Sequence, residues 1–113
     1  MHEMAIAQGI LDIVLNTAAQ HGASRVGLVR LLVGEMTQVV PQSLEFGFSA
    51  LAVGTIAQNA NLEVIIVPVT GKCVCCTQQF NIRQNQFQCP DCQSFNIEII
   101  SGRELLVDAL EVE

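Results

Sequence analysis

The chain has 113 residues, half of them apolar and 14% charged, which suits one modest hydrophobic core and excludes a disordered chain. Five basic residues against eleven acidic ones give a formal net charge of -6, which weighs against nucleic acid as a partner, because phosphate affinity needs clustered Lys and Arg. Glu3 near the start, the lack of a basic run before Ile6 and apolar runs as short as residues 64–69 argue against an export signal or membrane span, so a cytoplasmic protein without a membrane partner is expected.

In residues 4–20 the side chains Ile6, Ile10, Ile13, Val14 and Thr17 recur at steps of three and four, predicting a helix with one buried stripe. His21-Gly22 closes it, the histidine suiting the negative end of the helix and the glycine a left-handed cap. Residues 25–33, rich in Val and Leu and closed by Gly34, predict a buried strand. Pro41 opens a second helix in which Leu44, Phe48, Leu51 and Ala52 share a face before Gly54.

Residues 61–69 predict a β-branched strand bounded by Pro68 and Gly71. Beyond the cysteines, residues 96–100 and 104–112 predict strands on either side of a Ser101-Gly102 turn. The apolar terminal strand needs a sheet to join, and a small cysteine-rich insertion cannot provide one. The expected fold is therefore α+β: a small mixed β-sheet packed by two helices, formed by residues 1–69 and 96–113. An inserted zinc-ribbon-like domain is expected at residues 70–95.

Cys73 with Cys76 and Cys89 with Cys92 each place two thiols at a spacing that lets a tight turn aim both sulfurs at one ion. Two such pairs complete a tetrahedron, so Zn(II) bound by Cys73, Cys76, Cys89 and Cys92 is expected. With no open position for water, that zinc is structural. Phe80 and Phe87 between the pairs are expected to pack beside it. A redox disulfide needs only one such pair, and an iron–sulfur centre is the other thiolate alternative. Cys75 is a neighbouring thiol that can replace a ligand or stand spare.

Met1-His2-Glu3 is the second candidate site. A free α-amine, the His2 imidazole and the amide between them form fused chelate rings of the planar, nitrogen-rich kind that Ni(II) and Cu(II) prefer. Glu3 adds a carboxylate beside the metal or orients the imidazole. The ordinary alternative is an exposed histidine on a helix leader, which leaves a zinc-ribbon interaction module without nickel transfer. No metalloprotease helix, phosphate loop or Ser/His/Asp set is present in the sequence, so an enzyme is not expected.

Met1-His2-Glu3, Val33-Gly34-Glu35, the two cysteine pairs, Ser101-Gly102-Arg103-Glu104-Leu105 and the closing residues 110–113 together resemble the HypA/HybF family of hydrogenase nickel-incorporation proteins, over essentially the whole chain. The resemblance implies a metallochaperone whose discontinuous α+β domain binds Ni(II) through Met1, His2 and Glu3. It also implies four cysteine ligands to zinc, a nickel-handling accessory GTPase as partner and delivery to the hydrogenase large subunit precursor. A homodimer is compatible with it. This chain departs from the family at Val40-Pro41, where many members carry an acid, and at Thr77 and Gln93, where glycine is common.

Overall fold

The computed structural model describes the backbone of residues 2–113 and the side chains from Glu3 onward. Its elements are α1 (His2–Gln20), β1 (Val26–Gly34), a single 3-10 turn at Glu35–Thr37, α2 (Pro41–Ala52), β2 (Asn61–Val67), β3 (Thr70–Cys73), β4 (Gln79–Asn81), β5 (Ile97–Ser101) and β6 (Leu105–Val112). The strands form two three-stranded sheets, ordered β2-β1-β6 and β4-β3-β5. The fold is α+β, as the hydrophobic patterning predicts. The chain divides into two compact units: Met1–Leu32 with Val39–Ile65 and Leu105–Glu113, and Val33–Gln38 with Ile66–Glu104. Among the described residues no helix is long and apolar enough to cross a membrane.

The core of the first unit is made of Ala7, Ile10, Leu11, Val14 and Ala18 of α1, Val26, Val29 and Leu31 of β1 and Leu44, Phe48 and Ala52 of α2, with α1 packed chiefly on α2. The stripe is centred on positions 7, 11, 14 and 18, roughly 120° from Ile13 at about 100° per residue. Ile13 is 53% exposed, contrary to the predicted stripe. Alanines 7 and 18 carry little hydropathy of their own, yet their small side chains let the neighbouring elements approach. α2 comes close to α1 at Gly47, where a Cβ would lie 2.8 Å from Met4 Sδ and 3.5 Å from Ala7 Cβ.

The helix boundaries follow the sequence signals. Gly22 has φ +66, and two main-chain bonds close the end of α1, from Gly22 N–H to Ala19 O and from Ala23 N–H to Ala18 O. His21 Nδ1 donates to the Thr17 carbonyl, occupying one of the orphan acceptors of the last turn. Pro41 occupies the first turn of α2, where its missing N–H removes no helical bond. β6 returns beside β1, and Arg25 and Glu113 exchange main-chain bonds of 3.3 and 2.9 Å.

The second unit has a thinner core, made of Val33, Val69, Ile82 and the two buried thiols Cys73 and Cys89. The predicted strand at residues 61–69 ends at Val67, because Pro68 has no N–H with which to continue a ladder. The chain then starts the second sheet at Thr70, in a four-residue strand, Thr-Gly-Lys-Cys, whose composition gives no strand signal of its own. Pairing on both sides holds it: Lys72 lies opposite Gln79 of β4 and Glu98 of β5.

Candidate metal centre

Each cysteine pair sits on the same kind of turn. Cys73 ends β3, its N–H bonds to Gln78 O, and the Thr77 N–H folds back onto the Cys73 carbonyl at 2.8 Å. The second turn repeats this: Cys89 N–H bonds to Ser94 O at 2.9 Å, and Gln93 N–H bonds to the Cys89 carbonyl at 3.0 Å. Thr77 and Gln93 have φ 65 and 62, and this left-handed residue after each second cysteine brings both sulfurs of a pair to one side.

The two turns face each other and close a cage. Cys73 Sγ lies 3.5 Å from Cys92 Sγ, and Cys76 Sγ lies 3.5 Å from Cys89 Sγ. All four sulfurs fall within 4.8 Å of one another. A tetrahedral Zn(II) with Zn–S bonds of about 2.3 Å sets its sulfurs about 3.8 Å apart, so the residues fit that ion with little movement. Cys75 stands outside the cage. It is exposed, and its Sγ lies 3.4 Å from Ser94 Oγ, so the geometry selects Cys76 as the partner of Cys73. Phe80 lines a surface cavity with Cys89, while Phe87 lines a different one.

Crowding perturbs three of these thiols, and not in the same direction. The Cys76 N–H holds the Cys73 thiol down to about 6, helped by the Cys92 thiol and the Cys75 N–H and opposed by desolvation. At Cys76 the Gln78 N–H pulls downward, but the Cys89 thiol, desolvation and the remaining sulfurs outweigh it and push the thiol up to about 12. Cys92 is also raised: the Ser94 N–H lowers it, and the Cys73 thiol, desolvation and Cys89 together prevail. Such a cage accepts a thiolate at Cys73 readily and resists thiolates at Cys76 and Cys92 until a cation compensates their charge.

Of the second candidate site, Met1 and the His2 side chain lie outside the described residues. α1 begins at His2, and Glu3 stands half-buried in its first turn. Glu35, which the sequence marks only through the Val33-Gly34-Glu35 segment, has a role within the second unit: its Oε1 accepts the Val69 N–H at 3.1 Å. No sequence signal announces that bond, since the partner lies 34 residues away.

Two matched turns closing four thiols, in a small α+β chain, define a metal-handling protein of the knuckle type. Residues 1–112 match the family described as "Hydrogenase/urease nickel incorporation, metallochaperone, hypA". The chain is 39% identical to the hydrogenase maturation factor HypA of Desulfitobacterium hafniense (strain DSM 10664 / DCB-2), covering 100% of this chain and 99% of that protein. It is 42% identical to the factor of the same name from Chlorobium phaeobacteroides (strain BS1), with both chains covered completely. Its fold is similar to the solution structure of the Ni metallochaperone HypA from Helicobacter pylori, with a TM-score of 0.71 at 20% identity over 97% of this chain and 96% of that one. The chain belongs to the HypA family of nickel-incorporation metallochaperones, which are hydrogenase maturation factors and not enzymes.

Proposed function

We propose that this protein binds Ni(II) at its amino terminus through the Met1 amine, the His2 imidazole and backbone nitrogen and the Glu3 carboxylate, and delivers it during maturation of a nickel–iron hydrogenase. Cys73, Cys76, Cys89 and Cys92 hold a structural Zn(II) in the second unit, and the nickel site belongs to the first. The working partners are a nickel-handling accessory GTPase and the hydrogenase large subunit precursor, met in the cytoplasm. The observation that carries the reading is the family match, which spans the Met1-His2-Glu3 segment as well as both cysteine pairs.

Two physical features support it. The first N–H groups of a helix have no intrahelical acceptor, so a ligand set at the start of α1 uses a backbone nitrogen without breaking a helical bond. A terminal site can also open one coordination position at a time for ligand exchange, whereas a cage of four thiolates cannot.

Calorimetric nickel titration of the zinc-loaded protein tests this. His2→Ala abolishes tight nickel binding and leaves zinc content unchanged, and a few residues added before Met1 weaken nickel binding without removing any side chain. Nickel affinity also falls as pH drops through about 6.5, the reference value for an imidazole that must be neutral to bind. Undiminished nickel affinity in His2→Ala refutes the terminal site.

A further inference from the structure

β4 is an edge strand, and its ladder fixes which of its groups face outward. Cys73 N–H bonds to Gln78 O and Ile82 N–H to Val69 O, each at 2.9 Å, and Gly71 lies opposite Phe80 between them. Bonded and non-bonded pairs alternate along an antiparallel ladder, so Gln79 and Asn81 turn their N–H and C=O groups away from β3. Among the described residues no strand lies on that side. The Gln79 carbonyl accepts the Gln78 side-chain amide at 3.2 Å, and the Asn81 groups remain a template for another strand.

Asn81 also lines a cavity of about 510 Å³ within the second unit. That volume lies in the usual range for ligand sites, roughly 300–1,000 Å³. Its walls carry the charged side chains Glu35 and Arg83 and the amides of Gln38, Gln84 and Asn85, over the apolar Ile82. Three of these residues, Gln38, Gln84 and Asn85, have φ 58, 55 and 59, a concentration of left-handed non-glycine backbone at one rim. Strain of this kind gathers at binding sites, where the surrounding structure holds it in place.

Glu35 shares this cavity, but its Oε1 is held by the Val69 N–H, so the charge that an incoming segment meets beside β4 is that of Arg83. Among the described residues the ion pairs are Arg25 with Glu113 and Arg30 with Glu63, and Arg83 is in neither. Residues 77–90 contain Arg83 and no Asp or Glu, so pairing β4 of two copies edge to edge would bring like charges together. Side-chain amides supply both donors and acceptors, which suits a peptide main chain.

We propose that the open edge of β4 and this cavity together receive an extended acidic peptide segment of a partner protein, which adds as a strand beside Gln79–Asn81 and sets a carboxylate on Arg83. Main-chain bonds to Asn81 give the affinity, and Arg83 gives the preference for acid. The inference does not depend on the nickel assignment.

The test titrates the zinc-loaded full chain with a blocked octapeptide of alternating Val and Thr carrying two Glu, and with its Lys counterpart, following amide shifts by NMR. The acidic peptide shifts residues 79–85 and 35–38, and the basic one does not bind. Arg83→Glu weakens binding by about tenfold or more, the loss expected for a charge-assisted hydrogen bond. Asn81→Pro removes a donor that the β3 ladder does not use, so it abolishes binding while zinc content and the remaining amide spectrum stay native; Asn81→Ala binds normally. Equal binding by Asn81→Pro and the native chain, equal binding of the two peptides, or no binding at millimolar peptide overturns the proposal.

Discussion

Thr77 and Gln93 hold the same backbone position in two successive turns, at φ 65 and 62, each closing its N–H onto the carbonyl of the first cysteine of its pair. Both are residues for which the left-handed region costs about 1–2 kcal/mol, and glycine avoids that cost while losing about 0.5–1 kcal/mol to chain entropy. Gln93 gains little in return, since its Nε2 only reaches Pro90 O at 3.5 Å. Gln93→Gly is therefore expected to stabilise the zinc-loaded protein by about 0.5–1 kcal/mol in urea unfolding. Thr77 bonds its hydroxyl to the Cys76 carbonyl at 2.6 Å, a compensation that brings Thr77→Gly close to neutral. A larger gain at Thr77 than at Gln93 would show that the hydroxyl bond contributes nothing.

The geometry of the cage predicts that Cys75 is dispensable for zinc. Replacing any of Cys73, Cys76, Cys89 or Cys92 by Ser is expected to lower the zinc content sharply, while Cys75→Ser retains a full equivalent. Metal analysis after dialysis against a competing chelator measures both. Loss of zinc from Cys75→Ser would mean that the fifth thiol is a ligand.

The cysteine spacing made this cage legible in the sequence, because a two-residue gap encodes a turn and two turns encode a tetrahedron. The same spacing favoured Cys76 over Cys75 as the partner of Cys73, and the four-sulfur cluster agrees; what the spacing did not show is the left-handed backbone at residue 77 that closes the turn. The helices were legible through Pro41, Gly22 and their apolar steps, but the centre of the α1 stripe was not, since Ala7 and Ala18 bury close approach more than hydropathy. β3 was invisible for a related reason. Thr-Gly-Lys-Cys has no strand preference of its own and is a strand because β4 and β5 lie on either side of it.

The unequal thiols predict how zinc affinity depends on pH. Binding requires four thiolates, and at neutral pH Cys76 and Cys92, both raised, still carry protons. Zinc uptake near pH 7 therefore releases at least about two protons, and affinity falls as pH falls. Cys73, held at about 6, is already ionised at neutral pH and contributes to this dependence only below that value. The plot of log apparent affinity against pH should steepen by about one decade per unit on passing below pH 6, an increment that follows from one more displaced proton. Chelator competition across pH 5–8 reads the slope, and an unchanged slope through 6 would mean that Cys73 is not held down.

Two glycines distinguish a rigid close approach from a soft one. At Gly34 a Cβ would land on the Gly102 carbonyl and against Arg103 N at 2.6 Å, all of it backbone. That approach is fixed by the bonds from Gly34 N–H to Glu104 O at 2.7 Å and from Met36 N–H to Gly102 O at 2.8 Å. Gly34→Ala must displace the 102–104 segment and break one or both bonds, so a loss of about 3 kcal/mol or more is expected, from overpacking plus about 1 kcal/mol per bond. At Gly47 the nearest atom is Met4 Sδ at 2.8 Å, the far part of a flexible side chain that is itself partly exposed. Gly47→Ala pushes that side chain aside and gains about 0.8–1.0 kcal/mol of helix propensity, so its net effect should stay within about 1 kcal/mol of zero. Urea unfolding of the two zinc-loaded variants under identical conditions compares them, and equal losses would mean that the Gly34 segment yields as easily as a methionine side chain.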